Sequence, residues 1–132
     1  MAETRSRHER QLPYIKRQQL IWLAGLIEGE GCFYTRKDKH GIPSFTLSMT
    51  DEDVIAYAAD LLGCNYYTRQ RREANAKTVY TIQINGYKVI DLIHVLLPYM
   101  FSRRRQKMLE VDEAWSTRGP AKNGNWQKLK VR

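Results

Sequence analysis

The longest unbroken apolar segment of the chain, Leu20 to Ile27, places eight uncharged residues in a row. A helix built from it has no polar face and must be covered on all sides. Lys16 and Arg17 give it a basic entry, and Glu28-Gly29-Glu30-Gly31 follows it, so Gly29 or Gly31 is expected to end the helix. The period then changes from helical to alternating. Cys32 to Lys37 predicts a strand with Tyr34 and Arg36 on one face and Phe33 and Thr35 on the other. After a loop at residues 38–41, Pro43 to Met49 predicts its partner, with Phe45, Leu47 and Met49 inward and Ser44, Thr46 and Ser48 outward.

The second half repeats the alternation of helix and hairpin without repeating the sequence. Thr50 followed by Asp53 resembles a capping box, and Asp51, Glu52 and Asp53 put acids where a helix N-terminus favours them, predicting a helix from Asp51 to about Leu62, ended by Gly63. Its buried stripe is Val54, Ile55, Ala58, Leu61 and Leu62. A hairpin follows, with strands Asn65 to Arg72 and Thr78 to Ile84 around a turn at Glu73 to Lys77. Tyr80, Ile82 and Ile84 face inward and Val79, Thr81 and Gln83 outward. Alternation separates Thr68, Gln70 and Arg72 from Arg69 and Arg71, but both sets are polar, so the pattern leaves open which faces out. Asn85-Gly86 opens a third helix, Tyr87 to Leu97, and Pro98 separates it from a fourth, roughly Ser102 to Trp115, entered through Arg103-Arg104-Arg105.

Helix, hairpin, helix, hairpin, helix, helix is the order of an α+β domain with one antiparallel four-stranded sheet and helices packed on one face. A chain of 132 residues with 42% hydrophobic content suits a single domain with a modest core. Residues 1–12 read as a basic flexible arm, 13–115 as the domain, and 116–132, with five basic residues and no acids, as a basic flexible tail whose Trp126 has no assigned role. The two cysteines, Cys32 and Cys64, have neither the number nor the spacing of a zinc site or a disulfide framework, so they are expected to act as small apolar residues. Without an 18-residue apolar run or a signal-peptide pattern, no membrane partner is expected and the protein is read as soluble and intracellular.

Charge narrows the partners. With 22 Lys and Arg against 14 Asp and Glu, the formal net charge is +8, which favours a polyanion such as nucleic acid. Glu28 and Glu30 stand where a helix exposes its partially negative carbonyls, at a cost of roughly 0.3–1 kcal/mol each unless a positive group offsets them. A hard divalent cation is one such group. On pattern alone, a core helix followed by a solvated Glu-Gly loop serves equally well.

The residues Leu23-Ala24-Gly25-Leu26-Ile27-Glu28-Gly29-Glu30-Gly31 closely resemble the nonapeptide that names the LAGLIDADG homing endonucleases, with Glu at its sixth and eighth positions and Gly at its seventh. The resemblance implies the αββαββα core of that family. Because the motif occurs once, it also implies a homodimer through the motif helix, with Trp22, Leu23, Ala24, Gly25 and Ile27 at the interface. Ala24 and Gly25 suit close backbone approach, and Gly25 otherwise costs about 1 kcal/mol in a helix interior. It further implies that Glu30, with the Gly29 carbonyl, binds Mg²⁺, or Mn²⁺ in its place, whereas Glu28 has a hydrogen-bonding role.

By position, Arg103, with Arg105 next, matches the family's basic residue near the cleaved phosphate, and Asp51 matches a polar residue that orders solvent; helix capping explains Asp51 equally well. The expected partner is double-stranded DNA, met by the outward sheet face, with Arg36, Arg69, Arg71, Arg72 and Lys77 for charge and Ser44, Thr46, Ser48, Thr68, Gln70, Thr81 and Gln83 for neutral hydrogen bonds, and by Arg105 from the last helix. The function implied is sequence-specific, metal-dependent double-strand cleavage. Relatives of this type occur in phage and organelles. Two alternatives remain: an inactive LAGLIDADG-like DNA- or RNA-binding protein (a maturase or transcription regulator), and an unrelated small basic RNA-binding protein.

Overall fold

The computed structural model describes residues 11–37, 41–69 and 76–122, with side chains through 117. The elements are α1 (Arg17–Glu30), β1 (Gly31–Arg36), β2 (Ile42–Met49), α2 (Glu52–Leu62), β3 (Tyr66–Arg69), β4 (Val79–Asn85), α3 (Tyr87–Leu96), a short 3-10 turn (Leu97–Tyr99) and α4 (Ser102–Lys122). The strands form one antiparallel sheet in the order β1-β2-β4-β3. The architecture is the α+β arrangement expected from the alternating periods.

Register fixes which side chains meet. Phe33 lies opposite Phe45, and Phe45 opposite Ile84; Leu47 lies opposite Ile82, and Ile82 opposite Tyr66. These residues form the inner face, where they meet Leu23 and Ile27 of α1, Ile55 and Leu62 of α2, Ile90 and Ile93 of α3, and Met108 and Val111 of α4 in one core. Ring centroids of Phe33 and Phe45 are 4.8 Å apart, anchoring the β1–β2 pair beneath the helices. Among the described residues no helix packs on the opposite face of the sheet.

Within one chain the described residues cover helix α1 along one side, and the cover expected of its other face is not supplied by them. Leu23, Ala24 and Ile27 are 0%, 3% and 0% exposed because they pack into the chain's own core. Gln18, Trp22, Gly25 and Gly29 remain exposed, at a spacing that aligns them along one stripe. The predicted dimer set therefore divides between two faces: Trp22 and Gly25 lie on the open one, and Leu23, Ala24 and Ile27 do not.

Gly31 ends α1 and begins β1 with no loop between them, its backbone extended at φ −79° and ψ 157° rather than left-handed. Its glycine identity follows from close packing: a Cβ here would stand 2.7 Å from Ile27 Cγ2 and 3.0 Å from a Phe45 ring carbon. By contrast Gly63 closes α2 in the left-handed region, at φ 63°, as the sequence predicts.

Three local expectations require revision, and a fourth falls outside the described residues. Asp51 is the N-cap of α2 but makes no side-chain cap bond, and Asp53 Oδ1 accepts from the adjacent Val54 N–H at 2.9 Å, so the Thr50–Asp53 capping box does not form. Cys32 is exposed rather than apolar filling, because the parity of β1 turns it to the sheet's open face with Tyr34. Helix α4 continues past Trp115 to Lys122, so the predicted tail begins inside a helix. Described β3 ends at Arg69, and the predicted strand residues Gln70, Arg71 and Arg72 lie outside the described residues.

A buried cation joins the second helix to the third. Lys88 is 6% exposed and donates from Nζ to the Gly63 carbonyl at 2.8 Å, at the negative end of α2. Replacing it with Met should remove this bond and lower unfolding stability by about 1–3 kcal/mol, read as an earlier midpoint in urea. In thermal melts, Gly31→Ala should destabilise by about 1–3 kcal/mol through overpacking.

Candidate nucleic-acid interface

The two motif carboxylates have different surroundings. Glu28 reaches across to the start of α4, where its Oε1 accepts the Phe101 N–H at 3.0 Å, placing an acid at a helix N-terminus. Arg104 returns the contact by donating from Nη2 to the Glu28 carbonyl at 3.0 Å, placing a cation at the C-terminus of α1. The hydrogen-bonding role expected of Glu28 is thus visible in the geometry. Glu30, one residue from the helix end, is exposed and has neither hydrogen bond nor ion pair among the described residues. The Gly31 N–H returns to Ile27 O, and the Gly29 carbonyl receives no side-chain donor among the described residues.

The elements bring further predicted residues to this corner. Gly31 pairs with Leu47, so the C-terminal ends of α1 and β2 share one edge of the sheet, and Asp51 stands exposed two residues beyond β2 on that edge. Arg103 is exposed in the first turn of α4, adjacent to the Arg104 that touches Glu28, and lines a shallow cleft with Gln106, Lys107 and Glu110. Arg105 is engaged elsewhere: its Nη1 donates to the Leu97 carbonyl at 2.7 Å. That contact sets part of its guanidinium at the end of α3, while the side chain remains exposed. Among the described residues no cluster of three or more His, Cys, Asp or Glu could hold a metal ion.

The uncovered face of the sheet carries Cys32, Tyr34 and Arg36 on β1, Ser44, Thr46 and Ser48 on β2, Thr81, Gln83 and Asn85 on β4, and Tyr67 and Arg69 on β3. Thr68 pairs with Tyr80 and so belongs to the helix-side parity, which settles the face the alternation left open and corrects its assignment to the outer surface. Arg69 faces outward and is exposed, and Lys77 is exposed just before β4.

Ser44 and Thr81 are 0% and 5% exposed despite their outward parity. Ser44 Oγ donates to Asn85 Oδ1 at 2.7 Å, and Ser48 Oγ and Thr81 Oγ1 share a bond at 2.9 Å, so neighbouring side chains cover both. These two are corrected from surface readers to supports beneath the surface. Tyr34, Asn85 and Arg104 were missed by the sequence reading. Extending the Thr81, Gln83 alternation by two residues finds Asn85; nothing in the local pattern separates Arg104 from its basic neighbours.

Comparison with known proteins follows this geometry. Three solved structures share the fold at low identity. The homing endonuclease I-CvuI in complex with the I-CreI target is 21% identical with a TM-score of 0.54, over 74% of this chain and 65% of that one. The archaeal intron-encoded homing endonuclease I-Vdi141I complexed with DNA is 18% identical with a TM-score of 0.52, over 73% of this chain and 65% of that one. The LAGLIDADG homing endonuclease I-SmaMI bound to cleaved DNA is 16% identical with a TM-score of 0.56, over 90% of this chain and 45% of that one. The chain therefore spans somewhat under two thirds of the length of the first of these. No curated protein matches it. The family model for the LAGLIDADG-like domain matches residues 17–94, which run from the first residue of α1 into α3 and make up more than half of the chain, and the chain belongs to that family.

Proposed function

We propose that the protein is a homodimeric, Mg²⁺-dependent, sequence-specific double-strand DNA endonuclease of the homing type. The observation that carries this reading is Glu30: a carboxylate with no hydrogen bond or ion pair among the described residues, at the negative end of a helix and beside that helix's exposed stripe. A self-contained chain gains nothing from that placement, since the carboxylate opposes the helix dipole. A second copy seated on the Trp22, Gly25 and Gly29 face supplies what is missing. Cβ atoms at Gly25 and Gly29 would meet nothing within 4 Å, so this face has room for another backbone to approach closely. Two copies of α1 meeting there bring two Glu30 carboxylates together, and like charges at close range require a cation.

The donor set fits a hard divalent ion, since carboxylate and carbonyl oxygens are what Mg²⁺ takes, with water completing its shell. Glu30 and the Gly29 carbonyl would hold it, and when bound it would polarise the phosphate, acidify water and stabilise the leaving oxygen. The chain's own side chains have distinct tasks around it. Arg103 offers a fixed positive charge to developing negative charge on phosphate and, with a guanidinium that stays protonated, takes no part in proton transfer. Asp51 orders solvent at the same edge of the sheet. Glu28 keeps α1 and α4 in register, so Arg103 stays at the corner where Glu30 stands. The open sheet face meets the major groove, with Thr46 and Gln83 at its centre and Arg69 at its outer strand. The proteins named above in complex with DNA support this reading.

Sedimentation tests the dimer. Wild type should run as a dimer at micromolar concentration with or without DNA, and Gly25→Leu should run as a folded monomer. A wild-type monomer under both conditions would sink the two-carboxylate site. Cleavage tests the chemistry: on a duplex selected from a randomised library, Glu30→Gln should lose Mg²⁺-dependent cleavage by about a hundredfold or more while gel-shift affinity stays within a few-fold. Undiminished cleavage removes Glu30 from the metal site. Specific binding by wild type without cleavage assigns the chain to the inactive DNA-binding relatives.

A further inference from the structure

A hydrogen-bonded network spans three strands on the open sheet face. The Tyr34 hydroxyl and Thr46 Oγ1 are 3.1 Å apart, Thr46 Oγ1 donates to Gln83 Oε1 at 3.1 Å, and Gln83 Nε2 donates back to the Tyr34 oxygen at 3.2 Å. With the tyrosine proton directed to Thr46, these bonds close a ring. The second Gln83 N–H leaves the ring and donates to Asn85 Oδ1 at 3.1 Å, where the Ser44 hydroxyl also donates at 2.7 Å.

Counting donors and acceptors assigns different tasks to the two amides. A glutamine has two N–H donors and an oxygen with two lone pairs. Both Gln83 donors are engaged and its oxygen already accepts from Thr46, so it offers a base almost nothing. An asparagine has the same groups, but both Asn85 oxygen lone pairs are filled from within the sheet, while Nδ2 has no partner among the described residues and the side chain is exposed. Asn85 is thus held with its acceptor turned in and its two donors turned out. The buried Ser44 fixes that orientation from below.

Resting on the DNA reading above, we propose that Asn85 reads a base edge through its donors alone, and that Gln83 is a positioning residue which sets the Asn85 amide. The usual asparagine pairing with adenine needs the amide oxygen to accept from N6 while the nitrogen donates to N7. Here the oxygen is occupied, so that pairing requires the network to break. Cytosine offers only its N4 donor and meets a second donor. Guanine, with acceptors at N7 and O6, and thymine, with an acceptor at O4, match two outward N–H groups. The base within reach of the Asn85 donors is therefore guanine or thymine rather than its adenine or cytosine partner. Because one network links Tyr34, Thr46, Gln83 and Asn85, base preferences at neighbouring positions are coupled rather than additive.

The test is binding selection from a randomised duplex DNA library by the full chain in EDTA, followed by sequencing, with thermal melts confirming that each variant is folded. Wild type should enrich one position for guanine or thymine, and Asn85→Ala should flatten that position while others persist. Asn85→Asp still accepts from Ser44 and Gln83 but turns an oxygen outward, so the same position should swing about tenfold toward cytosine. Gln83→Glu sets a carboxylate against Asn85 Oδ1 and should turn the asparagine amide over, weakening the guanine or thymine preference although residue 83 is not the reader. No change in any position with Asn85→Ala, or an Asn85→Asp preference identical to wild type, overturns the donor-only assignment while leaving DNA recognition standing. An unchanged residue-85 position in Gln83→Glu overturns the positioning role. Equal binding of all duplexes, or of none, overturns this inference together with the DNA reading.

Discussion

The negative ends of three helices are each closed by a basic side chain from elsewhere in the chain. Arg104 of α4 holds the Glu28 carbonyl at the end of α1, Lys88 of α3 holds the Gly63 carbonyl at the end of α2, and Arg105 of α4 holds the Leu97 carbonyl at the end of α3. Neither α1 nor α2 has a basic residue in its own last turn. Each contact adds a donor to a carbonyl at a helix end and offsets its partial negative charge; the Leu97 carbonyl also accepts the Met100 N–H at 3.2 Å. Each also joins elements distant in sequence, so the helix ends position one another. The corner containing Glu30 depends on the first of these, because Arg104 and Glu28 together lock the end of α1 to the start of α4.

This constraint separates two carboxylates that composition makes equivalent. Both sit in a Glu-Gly repeat at a helix end, and local charge arguments disfavour both. Glu28 is compensated within the chain: it lies over the N-terminus of α4, where an acid is favourable. Glu30 has no such compensation among the described residues. The same separation occurs in the arginine run. Arg104 and Arg105 face helix ends, whereas Arg103 remains exposed at the cleft. Three consecutive arginines thus divide between architecture and a free charge, and only the fold distinguishes them.

What the sequence made legible follows the same division. Element order, the inner sheet residues Phe45, Leu47, Ile82 and Ile84, and the glycine ends of α1 and α2 were readable because each is dictated by a local period or a local backbone requirement. The bare face of α1 was not, since an apolar run looks the same whether its second face meets this chain's core or is left open. Parity along β3 was undecidable for a similar reason: with polar residues on both faces, only pairing with Tyr80 and Val79 assigns Thr68 and Arg69. Ser44 and Thr81 were misjudged because outward parity does not guarantee exposure of a small hydroxyl bonded to its neighbours.

The open face of the sheet therefore has two chemistries arranged by depth and position. Its centre is neutral: hydroxyls and amides bonded to one another, with Ser44 buried beneath Asn85 and Thr81 bonded to Ser48. Its charges, Arg36 at the far end of β1 and Arg69 on β3, stand toward the margins. Attraction to a polyanion is long-ranged and tolerant of position, so marginal charges suffice for it. Discrimination between base edges needs donors and acceptors held in fixed directions, and a self-bonded neutral centre holds them with little left to order on contact. The net charge of +8 accordingly says more about partner class than about how that partner is recognised, because part of it is engaged at helix ends and the central network contains no charge at all.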